Sequence, residues 1–389
     1  MDVYLRKILR PSLFKATFIF GAALFGPVLA PYMASLGISD IWISIILGAY
    51  PLTVILTSSF LGKLSDIIGR KKVIFWAIAL RIFSCLLYYC AGAGWEIGLA
   101  RILQAISFFA ISLPILAEIE DILQDGNRGF LGGLSFSLVE IGSVLGPLAG
   151  AWLADYWFVR APFLVSGLVT IFSLAWLIKW QEKPRNGLVK KRKIRVFGGL
   201  KRYLKNKGLR GMAILGFFTH ASHPAQVAFL PLFILRILGG SYTQIGWIFF
   251  ALALFLLLGQ APAGALSDKK GRIGVVVTGT FIIGASWILM GSCQNFFWLF
   301  LIALLHSLGG AMWNSGAWAY MGDISDRADR EGEVAGAYIS LAKIGEFLGF
   351  LVSGFIAVRF GIPFLFMLNG GLIIMASFVS VFFLKSKRL

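Results

Sequence analysis

The sequence predicts an all-α integral membrane protein of twelve transmembrane helices, arranged as two similar six-helix bundles. Three observations carry this reading. The 389 residues are 58% hydrophobic and only 14% charged, with a mean hydropathy of +0.83, whereas soluble domains are roughly half apolar and about a quarter charged. The apolar runs reach the roughly 20 residues that a helix needs to cross the hydrocarbon core. A charged stretch after the second run, GKLSDIIGRKK (Gly62 to Lys72), returns after the eighth as GALSDKKGRIG (Gly264 to Gly274).

The runs occupy 12–36, 42–63, 72–92, 95–119, 129–154, 160–180, 209–236, 242–265, 273–293, 295–320, 333–358 and 362–385. They are too long and too uniformly apolar for the alternating strands of an outer-membrane barrel. Helices are the other arrangement that pairs every backbone group in lipid. Ahead of the first run stand Arg6, Lys7 and Arg10, without an apolar h-region and small-residue cleavage site, so the start reads as retained.

Between the second and third runs, Gly62 and Gly69 suit a tight reversal, and Asp66 can complement the partial positive charge of a helix N-terminus. Arg70 faces a choice of acids at the end of the fourth run: Glu118, Glu120 and Asp121. In the fifth run, Gly142, Gly146 and Gly150 recur at i, i+4 and i+8, a face on which a neighbouring backbone can approach closely. Pro147 removes one intrahelical hydrogen bond and bends the helix. The eleventh run has Phe350 at the matching place, which confines that bend to the first half.

A polar, basic stretch divides the chain into a bundle at 1–180, a cytoplasmic linker at 181–208 and a second bundle at 209–389. The bundles repeat: Asp66, Gly69 and Arg70 recur 202 positions on as Asp268, Gly271 and Arg272. Gly133, Gly142 and Gly146 recur 203 positions on as Gly336, Gly345 and Gly349. Two halves in parallel repeat are the sequence sign of a transporter that rocks about a central site.

The formal net charge of +18 invites a nucleic-acid reading until the bases are located. They gather on alternate loops, at Lys63 and Arg70 to Lys72, Lys183 to Lys207, Lys269 to Arg272 and the final KSKR, against Arg160, Arg236 and Arg359 on the others. That asymmetry places both termini in the cytoplasm of a cell-membrane protein. The KKRKIR run then lies on anionic lipid, and nucleic acid is excluded as a partner.

The two charged stretches resemble the signature loop of the major facilitator superfamily and its degenerate second copy, and the resemblance spans the whole chain. GSVLGPLAGA (Gly142 to Ala151) is similar to the fifth-helix motif of that family's drug/proton antiporters. RILQAI resembles their fourth-helix motif at Arg101 and Gln104, with Ala105 replacing its glycine. The resemblance implies a monomeric transporter whose charge cluster, Gly62, Asp66, Gly69, Arg70, Asp121, Asp268 and Arg272, latches the cytoplasmic side in the outward-facing state. It implies protons exchanged for an exported amphipathic compound. A metabolite importer, a lipid mover and a membrane sensor share the same outline.

Ionisable residues at membrane depth are costly and mark function by default. Helical rise puts Arg81, Glu140, Lys343, Glu346, His220 and His306 roughly 13–18 Å from the nearer helix end, with Arg101 shallower. Glu140, Glu346, His220 and His306 are the candidate proton carriers, and Arg81, Arg101 and Lys343 their charge partners. Glu140 stands out beside the antiporter motif, either as a carrier or in a static pair with Arg81, Arg101 or Lys343. Lys343 is its repeat equivalent and also stands three residues from Glu346. The first run has no acid at depth. His223 precedes Pro224 and reads as a kink marker. Gln104, Phe108, Trp313 and Trp318 are candidates for a cavity wall suited to apolar or cationic compounds. Cys85, Cys90 and Cys293 read as inert buried thiols without metal spacing. No cofactor, metal, phosphate-binding loop or catalytic constellation is indicated, so the chain does not read as an enzyme.

Overall fold

The computed structural model describes residues 2–123, 128–178, 200, 203–325 and 331–384, and these contain helix and no strand. Among the described residues, ten helices are long and apolar enough to cross a membrane. The sixth span, Ala161–Ile178, is a shorter apolar helix, and the seventh is interrupted. The predicted helical class and its twelve-span outline therefore hold.

Two runs expected to be continuous are broken. The first span is Asp2–Ala23 followed by Gly26–Ser35. Pro27 offers no N–H to the Ala23 carbonyl, and the chain restarts when Val28 and Leu29 both donate to the Phe25 carbonyl (3.1 and 3.0 Å). The seventh span runs Lys207–Ala221, then a π turn at Ala225–Phe229, then Leu230–Arg236. Pro224 and Pro231 flank that turn. The corresponding helix of each half is thus discontinuous, as in transporters whose broken helices line the central site. The fifth span, Arg128–Tyr156, stays unbroken through Pro147.

The charged stretches are mostly helix. The second span extends over Asp40–Ile68 and the third starts at Arg70, leaving only Gly69, at φ 97°, as the turn. Gly271, at φ 92°, does the same between Tyr242–Lys270 and Arg272–Gly291. Only glycine adopts this conformation without strain. Gly62, expected in the reversal, sits inside the second span instead.

Inside each half, the same helix pair packs backbone to backbone. A Cβ on Gly142, Gly146 or Gly150 would strike the first span at the carbonyls of Ala16, Phe20 and Leu24. The second half repeats the device: Gly345 and Gly349 of the eleventh span, Glu331–Phe360, press on the carbonyls of Phe217 and Ala221 in the seventh. The small-residue face expected from the sequence is this seam.

The halves meet on the face away from Arg70 and Arg272. There Ser44 Oγ donates to the Phe350 carbonyl at 2.5 Å. Thr243 N–H donates to Asp155 at 2.9 Å, and Arg236 donates to both oxygens of Asp40 at 2.8 Å. Around Arg70 and Arg272, on the basic face, the described ion pairs lie within one half: Arg70 with Glu118 and Asp121, and Arg272 with Asp268 and Asp323. Arg236→Ala should loosen the contacted face. The exposed pair carries about 0.5–1 kcal/mol, so a roughly two- to fivefold rise in the population open on that face is expected. Double electron–electron resonance between spin labels across it reads this directly, and an unchanged distance distribution refutes it.

Candidate functional site

The tenth span, Phe296–Ser325, and the interrupted seventh bring three histidines together, although His306 stands more than 80 positions from the other two. A cavity of about 560 Å³ lies among the fifth and the seventh to eleventh spans. All three histidines of the chain, His220, His223 and His306, line it. Phe249, Trp313, Trp318 and Tyr338 supply its aromatic wall, with the Trp318 and Tyr338 rings edge to face at 5.6 Å. Trp318 and Tyr338 each stand seven residues from the basic-face ends of their helices at Ser325 and Glu331. The cavity therefore leans from the middle of the bundle towards the basic face, opposite the contacts that join the halves.

Its charged group is Lys343, whose Nζ donates to Glu346 Oε2 at 2.5 Å. The other carboxylate oxygen, Oε1, lies 3.0 Å from His223 Nδ1. The Glu346 side chain is only 5% exposed. A buried carboxylate persists when each oxygen has a polar partner, and here both do. The expected pairing of Lys343 with Glu140 across the halves does not form, because a residue one turn away on the same helix is within direct reach.

Glu140 has no ion-pair partner among the described residues. Its Oε2 accepts from Ser143 Oγ at 2.8 Å, and Ser143 lines the cavity. The nearest helix across the glycine seam brings Lys15, whose ammonium lies in the field of Glu140 and Glu120. Lys15 was not among the expected site residues, although a lysine within the first apolar run was the available signal.

The first half holds a separate polar centre. Arg81 is fully buried, donates to Ser166 Oγ at 3.2 Å and lies over the Phe25 ring at 4.9 Å. Arg101 donates to Gln104 Oε1 at 2.9 Å, shares that oxygen with the Tyr88 hydroxyl at 2.7 Å, and covers the Tyr50 ring at 4.7 Å. Neither arginine meets a carboxylate among the described residues, Glu140 included, so the salt bridges to Glu140 offered by the sequence are absent. Gln104 and Phe108 do not reach the cavity: Gln104 is held by Arg101 and Tyr88, and Phe108 packs on Phe18, Tyr50 and Phe109. Trp313, Trp318 and Pro147 do line it.

His220 Nδ1 lies 2.8 Å from the Gly216 carbonyl of its own helix. His306 packs edge-on against Trp287 at 5.2 Å, and its Nδ1 is buried without a partner. His223, expected only to mark a kink, is the histidine that meets a carboxylate. The helix is interrupted between Ala221 and Ala225, and His223 lines the cavity from that break. Arg70 takes Glu118 and Asp121 at 2.8 and 2.7 Å. The side chain of Asp66 lies outside the described residues. Cys85 and Cys293 are buried and Cys90 is exposed, a departure from the expected burial of all three. Burial pushes the Cys293 thiol up, as in an unreactive cysteine.

Comparison with known proteins fits this architecture. The sequence profile of the Major Facilitator Superfamily matches residues 13–223 and 212–388. An uncharacterised transporter of that type from Methanocaldococcus jannaschii is 25% identical over 89% of this chain and 90% of its own. The chloramphenicol resistance protein CraA of Acinetobacter baumannii is 24% identical over 71% of this chain and 69% of its own. Among solved structures, the nucleoside transporter NupG superposes with a TM-score of 0.81 at 13% identity, covering 98% of this chain and 99% of that one. A bacterial homologue of the human lysosomal transporter Spinster, inward-facing and unoccupied, gives 0.77 at 16% identity, over 99% and 95%. With two matched halves, a broken helix in each and a cavity between them, the chain belongs to the Major Facilitator Superfamily.

Proposed function

We propose that the protein is a proton-coupled secondary transporter that exports small amphipathic compounds by alternating access, with its basic face in the cytoplasm. The observation that carries the reading is the cavity itself. It is bounded on one side by contacts between the halves and approached from the other, and its wall reaches a carboxylate, Glu140, through Ser143. The names of the relatives that resist chloramphenicol and other drugs support export. In this reading Glu140 takes and gives the proton, while Glu346 is held charged by Lys343 and His223. Arg70 and Arg272, each tied to acids of its own half, join Gly62, Asp66, Gly69, Asp121 and Asp268 in locking the cytoplasmic side when the halves rock the other way. The bundles 1–180 and 209–389 then move as bodies about the linker 181–208.

Energised inverted vesicles test this. Addition of a transported compound should release protons from the lumen, and Glu140→Gln should reduce that release at least tenfold while the compound still binds. No substrate-dependent release, or a Glu140→Gln variant that couples normally, sinks the proposal. Uptake with co-moving protons would identify an importer instead.

A further inference from the structure

The charge of the cavity wall sets which compounds it accepts. Among the described residues its basic lining side chains are Lys343, His220, His223 and His306, and none of the lining residues is an aspartate or glutamate. Two acids stand behind the wall: Glu346 has both oxygens engaged, one by Lys343 and one by His223, and Glu140 accepts from Ser143 Oγ. An entering organic cation therefore meets the Lys343 ammonium at the wall itself, while the acids stand behind it. In a partly dehydrated cavity such like-charge proximity is far more costly than in water. Aromatic faces do attract cations, yet here Lys343 already stands on the same helix as Tyr338.

An anion meets the reverse. Lys343 has further N–H donors beyond the one given to Glu346. His223 has spent Nδ1 on Glu346, and as the imidazolium it donates Nε2–H to a second carboxylate. Trp313, Trp318 and Phe249 offer flat apolar surface for a ring, and Gln226 and Asn314 add neutral hydrogen-bonding groups. We propose that the cavity selects aromatic acids in their carboxylate form over organic cations, the carboxylate resting on Lys343 and His223 and the ring on the tryptophans. This rests on the cavity being the substrate site of the transporter proposed above. It does not depend on export or on protons, so the two readings fail separately.

The test is equilibrium binding by isothermal titration calorimetry to the full chain in lipid nanodiscs, without a gradient. The probes are 2-naphthoate, 2-naphthamide and 2-naphthyltrimethylammonium, which share one ring and differ in charge. Naphthoate should bind at least tenfold more tightly than the ammonium. The paired change Lys343→Gln with Glu346→Gln, which leaves no buried charge alone, should weaken naphthoate about tenfold and naphthamide less than twofold. If that variant does not fold, His223→Gln keeps the Lys343–Glu346 pair and should weaken naphthoate about threefold. Equal or tighter binding of the ammonium, no binding of naphthoate, or unchanged naphthoate affinity in the variants overturns the proposal.

Discussion

Gly150→Val is expected to leave no stable protein, and Gly150→Ala to lower stability by about 3 kcal/mol, the upper end of what overpacking costs. A Cβ at Gly150 would fall on the carbonyl carbon, oxygen and Cα of Leu24, all of them backbone. Side chains can swing aside, but backbone gives way only if the whole helix retreats. Leu24 also begins the interruption in the first span, where Pro27 has already removed a hydrogen bond, so displacement there propagates to the Gly26–Ser35 segment. Gly349→Ala should act in the same direction through the Ala221 carbonyl. Gly133→Ala is the control: nothing lies within 4 Å of the place its methyl group would take, and the gain in helix propensity, about 1 kcal/mol, makes it neutral or stabilising. Thermal unfolding of the purified variants, followed by size-exclusion chromatography, reads the three alanine changes. A Gly150→Ala protein as stable as the parent would show that the seam between the first and fifth spans is loose.

Lys343→Met is expected to destabilise the protein by about 3 kcal/mol and to abolish transport. It strands a carboxylate that is 5% exposed. Breaking a buried ion pair from one side costs about 3–5 kcal/mol, because the remaining charge is left without compensation. His223 still holds Oε1 at 3.0 Å, which sets the expectation at the lower end. The paired change Lys343→Met with Glu346→Gln should recover most of the loss, since two buried charges replaced together remove both the attraction and the desolvation cost. A double-mutant cycle separates these terms. Additive losses in the cycle would show that Lys343 and Glu346 are not coupled, and that their contact at 2.5 Å contributes nothing to stability.

Much of the candidate site was legible because depth in a membrane is a one-dimensional quantity. Counting residues from helix ends put His220, His306, Lys343 and Glu346 near the middle, and all four lie in or directly behind the cavity wall. Spacing also gave the Lys343–Glu346 contact, which is local to one helix. Contacts between helices were not legible in the same way. Arg81 was expected to partner an acid and meets Ser166 and Phe25; Gln104 and Phe108 were expected in the cavity wall and are taken up by Arg101, Tyr88 and aromatic neighbours. A helix turns 100° per residue, so two residues at one depth can face opposite sides of the bundle. For His223, the following proline signals only a backbone break, and the direction in which that break turns the side chain is a tertiary matter.

Composition and periodicity by themselves determined that the chain spans a membrane as helices, that it is doubled, that a reversal at Gly69 joins the second and third spans and that one face of the fifth helix is bare. These are properties of single helices and of their repetition, set by lipid, by chain length and by the absence of a Cβ. Only the tertiary structure decided which face the halves share, which polar groups meet across helices, and that three histidines and a lysine share the cavity wall. Those depend on how each helix is rotated about its axis and how the two bundles lean on one another, and such choices arise from long-range packing that no local stretch of sequence encodes.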